Sequence, residues 1–226
     1  MITILASGQS NAMGFNSGGV LSFHPLLEVW NNENDTYEPE TMGTGFVPPS
    51  VNRPPFVRGA NCFMVHAASE VARRTGQPVR LVLVTKGGIP ISTWMNEAGT
   101  PGPMFDRLIA IARAAAIGQA DAFFWHQGEG DNKDPTNYPE KWKRLIDGLR
   151  REGFLANDSP AIIGETATMW PRINPVLRAL PQQFNYVSFV PLADFATSDG
   201  RHFLGEDAFL IGARYAEAFL AQATLP

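Results

Sequence analysis

Four short blocks hold the residues whose types and spacing could do chemistry: GQSNAMG at 8–14, KGGIPISTW at 86–94, HQGEGD at 126–131 and SDGRHF at 198–203. A serine hydroxyl is a poor nucleophile until a base takes its proton. Ser10 stands in the first block, and His202 in the last can be that base. Asp199 lies three residues before His202, where a carboxylate can accept the Nδ1–H and fix the tautomer. A tetrahedral intermediate also needs donors aimed at its oxygen. The Ser10 N–H, the Gly88 N–H and the Gln127 side-chain amide can supply three. Gln9, Asn11, Glu129 and Trp94 flank this set and are read as hydrogen-bonding or substrate-contacting residues.

Each block also has a plainer reading. Gly, Ser and Asn after an apolar run make an ordinary strand-ending turn, and Asp-Gly before a histidine is common turn chemistry. Gly87-Gly88 alone says that the chain turns tightly. His126, Glu129 and Asp131 could hold a metal, but one histidine and two carboxylates on a loop are a weak ligand set, so a hydrogen-bonding role is favoured for Glu129. Of the other histidines, His24 has no partner pattern. His66 lies four residues before Glu70, as in helix-surface pairs.

The blocks need elements to position them, and apolar segments precede three of the four. Ile2–Ala6, Pro78–Val84, Ala122–Trp125, Ala161–Gly164 and Tyr186–Val190 read as strands buried on both faces. Between them lie helical patterns at 61–75, 104–117, 139–151 and about 206–222. Gly76 and Gly118 are placed to end the first two. Alternating strand and helix predicts a three-layer α/β/α sandwich with a mostly parallel sheet. In such sheets ligands bind beyond the carboxyl ends of the strands, which is where the first three blocks fall. Residues 31–58 are rich in Asn, Pro, Gly and Thr and read as a long irregular excursion within a single domain spanning 1–226. Its aromatics Tyr37, Phe46 and Phe56, with Trp94 and Trp170, are candidates for a sugar-binding face, and each singly could be loop packing.

Composition narrows the classes. The chain has 226 residues, 44% hydrophobic and 18% charged, with a net charge of −4. Without a concentrated basic surface, a nucleic-acid partner is not expected. No apolar run reaches the roughly 18 residues of a membrane span, and none near the blocks reads as a lipid-tail groove. Cys62 is the only cysteine, so no internal disulfide is possible, and its apolar surroundings mark a buried structural thiol. No signal-peptide pattern opens the sequence, which points to a cytoplasmic protein or to a mature or excised domain.

Taken in order, GQSNAMG, KGGIPISTW, FFWHQGEGD and SDGRHF resemble the motifs of SGNH-type esterases. The closer likeness is to the sialate O-acetylesterase-like branch, which includes acetylxylan esterases. The resemblance covers residues 8–203. It implies a flavodoxin-like sheet of five parallel strands and a serine esterase that needs no metal or other cofactor. It assigns Ser10 as nucleophile, His202 as base and Asp199 as its orienting acid. It places the oxyanion hole at the Ser10 N–H, the Gly88 N–H and Gln127. The chain departs from the pattern twice. Gln127 stands where the name SGNH refers to an asparagine, as is usual for this branch. Ile89-Pro90 follows the two glycines where threonine is common, which leaves the choice of Gly88 over Gly87 open. The α/β-hydrolase elbow Gly-x-Ser-x-Gly is not met, because Ala12 takes its last position. The expected activity is hydrolysis of O-acetyl esters on carbohydrates through an acyl-serine. The alternatives are a general short-chain or aryl esterase and a decayed carbohydrate-binding module. Neither the sugar nor the oligomeric state is legible.

Overall fold

A computed structural model describes residues 1–14, 18–19, 23–31, 35–39, 61–96 and 98–222. Seven strands form one sheet in the order β3-β2-β4-β1-β5-β6-β7. They are β1 (Ile2–Gly8), β2 (Leu27–Asn31), β3 (Thr36–Pro39), β4 (Val79–Thr85), β5 (Ala122–His126), β6 (Ala161–Gly164) and β7 (Val187–Val190). All pairs are parallel except β2 with β3. All five expected strands are present. Two more extend one edge, so among the described residues the sheet has seven strands rather than five. Within residues 31–58, the described residues include strand that the sequence did not lead us to expect. Asn31 ends β2, and Thr36–Pro39 turns back as the antiparallel edge strand. Residues 40–58, with Phe46 and Phe56, lie outside the described residues.

Among the described residues six α-helices flank the sheet: α1 (Ser10–Met13), α2 (Phe63–Thr75), α3 (Pro103–Ala114), α4 (Tyr138–Arg151), α5 (Asn174–Gln183) and α6 (Ala208–Leu220). Strand side chains alternate between two cores. Ile4, Ala6 and Phe124 pack with α2 and α6, while Leu5, Phe123 and Trp125 pack with α3, α4 and α5. Burying each of the two phenylalanines is worth about 1.5–3 kcal/mol. Trp142, Leu145, Ile146 and Leu149 recur at helical spacing on α4, and all four are buried. Gly76 ends α2 with a left-handed φ of 66°. Gly118 does not end α3, which stops at Ala114. The turn there is taken by Ala116, at a φ of 50°. Cys62 is buried beside α2, its Sγ 3.2 Å from the Ala12 carbonyl oxygen. His66 faces inward rather than pairing with Glu70. It is buried, with Nε2 2.6 Å from Asn61 Oδ1, while Glu70 binds Arg73. Among the described residues no helix is long and apolar enough to cross a membrane.

Register positions the blocks. Gly8 at the end of β1 lies opposite Thr85 of β4 on one side and His126 of β5 on the other. Three carboxyl ends are therefore level, and the chain leaves each of them into one of the first three blocks.

Candidate active site

The turn out of β1 depends on Gly8. Its φ is 152°, and a Cβ there would lie 2.2 Å from the His126 carbonyl oxygen. Only glycine lets the chain pass so close to β5. The Gln9 N–H then donates to that same oxygen at 3.0 Å, and α1 begins at once with Ser10. The fourth block arrives from beyond β7. Glu165, buried at the end of β6, accepts the Leu192 and Ala193 N–H groups and directs the chain leaving β7. A narrow hairpin follows, with Thr197 bridged to Phe203 and the Ser198 N–H bonded to the His202 carbonyl.

The structure brings Ser10, His202 and Asp199 together. His202 Nε2 is 3.0 Å from Ser10 Oγ, and Nδ1 is 2.7 Å from Asp199 Oδ2. Asp199 Oδ1 also accepts the Arg201 and His202 N–H groups at 2.9 and 2.8 Å. Burial works against the ionised carboxyl, but the bonds from the His202 ring and the two amides outweigh it and hold Asp199 at about 2. An ionised Asp199 can only accept, so Nδ1 carries the proton and Nε2 keeps its lone pair for Ser10.

Ser10 and His202 open into a cavity of about 390 Å3. Met13 and Trp170 give it apolar wall. Gln9, Glu129 and Arg201 give it polar edge, and Gly87, Gly88 and Gly130 complete it. A Cβ on Gly87 would lie 3.7 Å from that of Ser10, so Gly87 is directly beside Ser10. Gly88 turns there with a φ of 70°. Among the described residues no acceptor takes the N–H of either glycine.

Gln127 departs from the expected arrangement. Its side chain is fully buried, and Nε2 donates to Asp131 Oδ2 at 2.6 Å, Ile89 O at 3.0 Å and Gln9 Oε1 at 3.3 Å. The amide nitrogen thus faces three acceptors of the neighbouring loops, and Gln127 does not line the cavity. Asp131 also accepts the Ile91 N–H at 2.8 Å, so this pair ties the glycine loop to the end of β5. Trp94 is likewise not in the cavity. It is fully buried, packs edge-on against Trp125 and donates Nε1–H to Ser7. Tyr37 is also elsewhere, its hydroxyl donating to Ala115 O at the end of α3. Of the described aromatic candidates, Trp170 alone reaches the site.

His126, Glu129 and Asp131 do not converge on one point. His126 Nδ1 meets the Tyr215 hydroxyl at 3.0 Å, and Asp131 is turned to Gln127 and Ile91. Among the described residues no group of three His, Cys, Asp or Glu is placed to hold a metal. Burial pushes Glu129 up to about 7, since desolvation outweighs its bond from Asn11. Burial lowers His126 to about 3. Sequence reasoning did not single out Met13, Gly130 or Arg201. All three lie inside the chemistry-bearing blocks, so the signal was their position rather than their type.

A family model described as carbohydrate esterase, sialic acid-specific acetylesterase, matches residues 2–221. The chain belongs to this family. Its activity is accordingly that of a carbohydrate O-acetylesterase. Solved structures share the fold at low sequence identity. A protein from Arabidopsis thaliana superposes with a TM-score of 0.77 at 19% identity, over 98% of both chains. A carbohydrate acetylesterase from Xanthomonas citri gives 0.73 at 16% identity, over 98% of this chain and 56% of that one. NanS gives 0.67 at 16% identity, over 97% and 96%. No match is found among curated proteins.

Proposed function

We propose that the family's reaction runs here through an acetyl-serine on Ser10. The observation that carries this is the continuous relay Asp199–His202–Ser10, opening into the cavity. Ser10 Oγ attacks the acetyl carbonyl carbon while His202 Nε2 takes its proton. We assign the N–H groups of Ser10, Gly87 and Gly88, residues that line the cavity, as donors to the developing oxyanion. Gln127 is not among them. Collapse breaks the ester C–O bond, and His202 gives its proton to the departing sugar oxygen, which leaves as the hydroxyl. Water then attacks the acetyl-serine while His202 takes its proton; the bond to Ser10 Oγ breaks, His202 returns the proton to Oγ, and acetate leaves.

The substrate reading is a short acyl ester on a sugar. A cavity of about 390 Å3 falls in the range of roughly 300–1,000 Å3 usual for small-molecule sites. Among the described residues its lining combines Trp170 with the polar groups of Gln9, Glu129 and Arg201, which suits a ring with one apolar face and a hydroxyl rim. The test is a matched pair of p-nitrophenyl esters beside a panel of O-acetylated sugars. Acetyl esters should be cleaved at least about tenfold faster in kcat/KM than octanoyl esters, roughly 1.4 kcal/mol in the barrier. Acetate should also be released from at least one acetylated glycan. Equal or better rates on octanoyl esters would replace this reading with a general lipolytic one.

A further inference from the structure

Asn11 follows the nucleophile in sequence, and its side-chain amide is saturated. Both Nδ2 hydrogens are used, one on Glu129 Oε1 at 2.9 Å and one on the Arg201 carbonyl oxygen at 3.0 Å. Oδ1 accepts the Phe203 N–H at 3.1 Å. Arg201 and Phe203 are the two neighbours of His202. One amide, 5% exposed, therefore binds the backbone on either side of the base from the residue beside the nucleophile.

The arrangement matters because it adds a polar tie on both sides of His202 to the anchor that the Phe203 ring makes in the core, where it packs edge-on against His126. Asp199 and Ser198 bond to residues of the same turn, and Asp199, Gly200 and Arg201 are exposed. Those contacts orient the imidazole within its loop. They do not set the loop against α1. Glu129 fixes the other end of the amide. It comes from the β5 loop, is 7% exposed, and carries a buried Oε2 without a hydrogen-bond partner among the described residues. Aspartate, glutamine and serine would not reproduce the three Asn11 bonds. Aspartate cannot donate, glutamine is one methylene too long, and serine lacks the second donor.

We infer that Asn11, anchored by Glu129, is a positioning residue that sets the His202 loop against Ser10. This rests on the acyl-serine reading above. A misplacement of about 1 Å between reacting groups costs on the order of a hundredfold in rate. Both Asn11→Ala and Asn11→Asp should therefore lower kcat by about a hundredfold, with KM changed by less than about twofold.

The test is a double-mutant cycle on Asn11 and Glu129, read with p-nitrophenyl acetate and by the rate at which an organophosphorus reagent labels Ser10. Glu129→Ala should lower kcat and the labelling rate together. Glu129→Gln should recover most of that loss, because its amide oxygen accepts the same N–H. Adding Glu129→Ala to Asn11→Ala should cost little more than Asn11→Ala alone, as expected for residues acting in one chain. Wild-type kcat in either Asn11 variant would overturn the positioning role. So would a Glu129→Gln loss as large as that of Glu129→Ala, or full additivity. If Asn11→Asp does not fold, Asn11→Ala and the Glu129 pair carry the same decision. Failure of the parent reading looks different: wild-type protein and Ser10→Ala would then hydrolyse the ester equally.

Discussion

Replacing Asp199 by asparagine changes one atom type and almost no volume, yet it should harm the enzyme more than replacement by alanine. Asp199 Oδ1 accepts two backbone N–H bonds at 2.8 and 2.9 Å, while Oδ2 faces the imidazole. An asparagine keeps its only oxygen on the two backbone donors, which turns its NH2 toward Nδ1. Two N–H groups cannot share one bond, so the imidazole moves its proton to Nε2. That nitrogen can then no longer take the proton of Ser10. The equivalent change in a serine-protease triad costs about 10,000-fold in kcat. Alanine removes the acceptor without imposing the wrong tautomer. A lost charge-assisted hydrogen bond is worth roughly 1.5–3 kcal/mol, or about 10- to 150-fold in rate. The Asp199 side chain is 47% exposed, so water replaces part of it and the lower half of that range applies. The assay is kcat on p-nitrophenyl acetate, with thermal melting to confirm the fold. Because Asp199 is held at about 2, its carboxylate stays charged as pH falls well below neutral, so the ordering should persist across the acid range. An asparagine variant as fast as the alanine one would refute the tautomer argument.

Two other outcomes follow from buried polar groups. Gln127→Ala should lower stability by about 1–3 kcal/mol in urea unfolding, because Ile89 O and Asp131 lose a buried donor. Loss of about 100- to 1,000-fold in kcat at unchanged stability would instead mark Gln127 as an oxyanion donor. Burial lowers His66 to about 4 and His126 to about 3, so both are neutral in the folded protein and charge on unfolding. Their contribution is complete above their ordinary value of 6.5 and is lost as pH falls through the lowered values, on the order of 3 kcal/mol for His66. Glu129, raised to about 7, acts oppositely: its contribution is present below 4.5 and lost as pH rises through 7. Urea unfolding between about pH 6.5 and 4.5 should show stability falling with pH, less steeply in His66→Gln. Equal slopes would contradict the assignment to His66.

The sequence made the frame legible because continuous apolar runs report strands buried on both faces. The order of the four blocks identified which loops meet. What it could not show was where side chains turn once there. Gln127 follows a buried strand, as a donor to the site would, but Asp131 four residues on captures its amide. Trp94 looks like a loop aromatic until the hydroxyl of Ser7 draws it into the core. His66 has a surface partner at helical spacing and instead meets Asn61, five residues before it, under α6. Of the four described elements that were not expected, α1, β2, β3 and α5, two have local causes. α5 contains Pro181, which argues against a helix, and β3 is four residues long and ends in proline. The Asn11 contacts were not legible, since they join residues 118 to 192 positions apart in the chain.

The most direct test is to look for the acetyl-serine itself. Wild-type protein mixed with excess p-nitrophenyl acetate, quenched in acid within one turnover and digested, should yield the peptide containing Ser10 with the mass of one added acetyl group. The same peptide from Ser10→Ala should carry none, and that variant should release no acetate above the uncatalysed rate. Acetylation on another residue, or full activity in Ser10→Ala, would contradict the account.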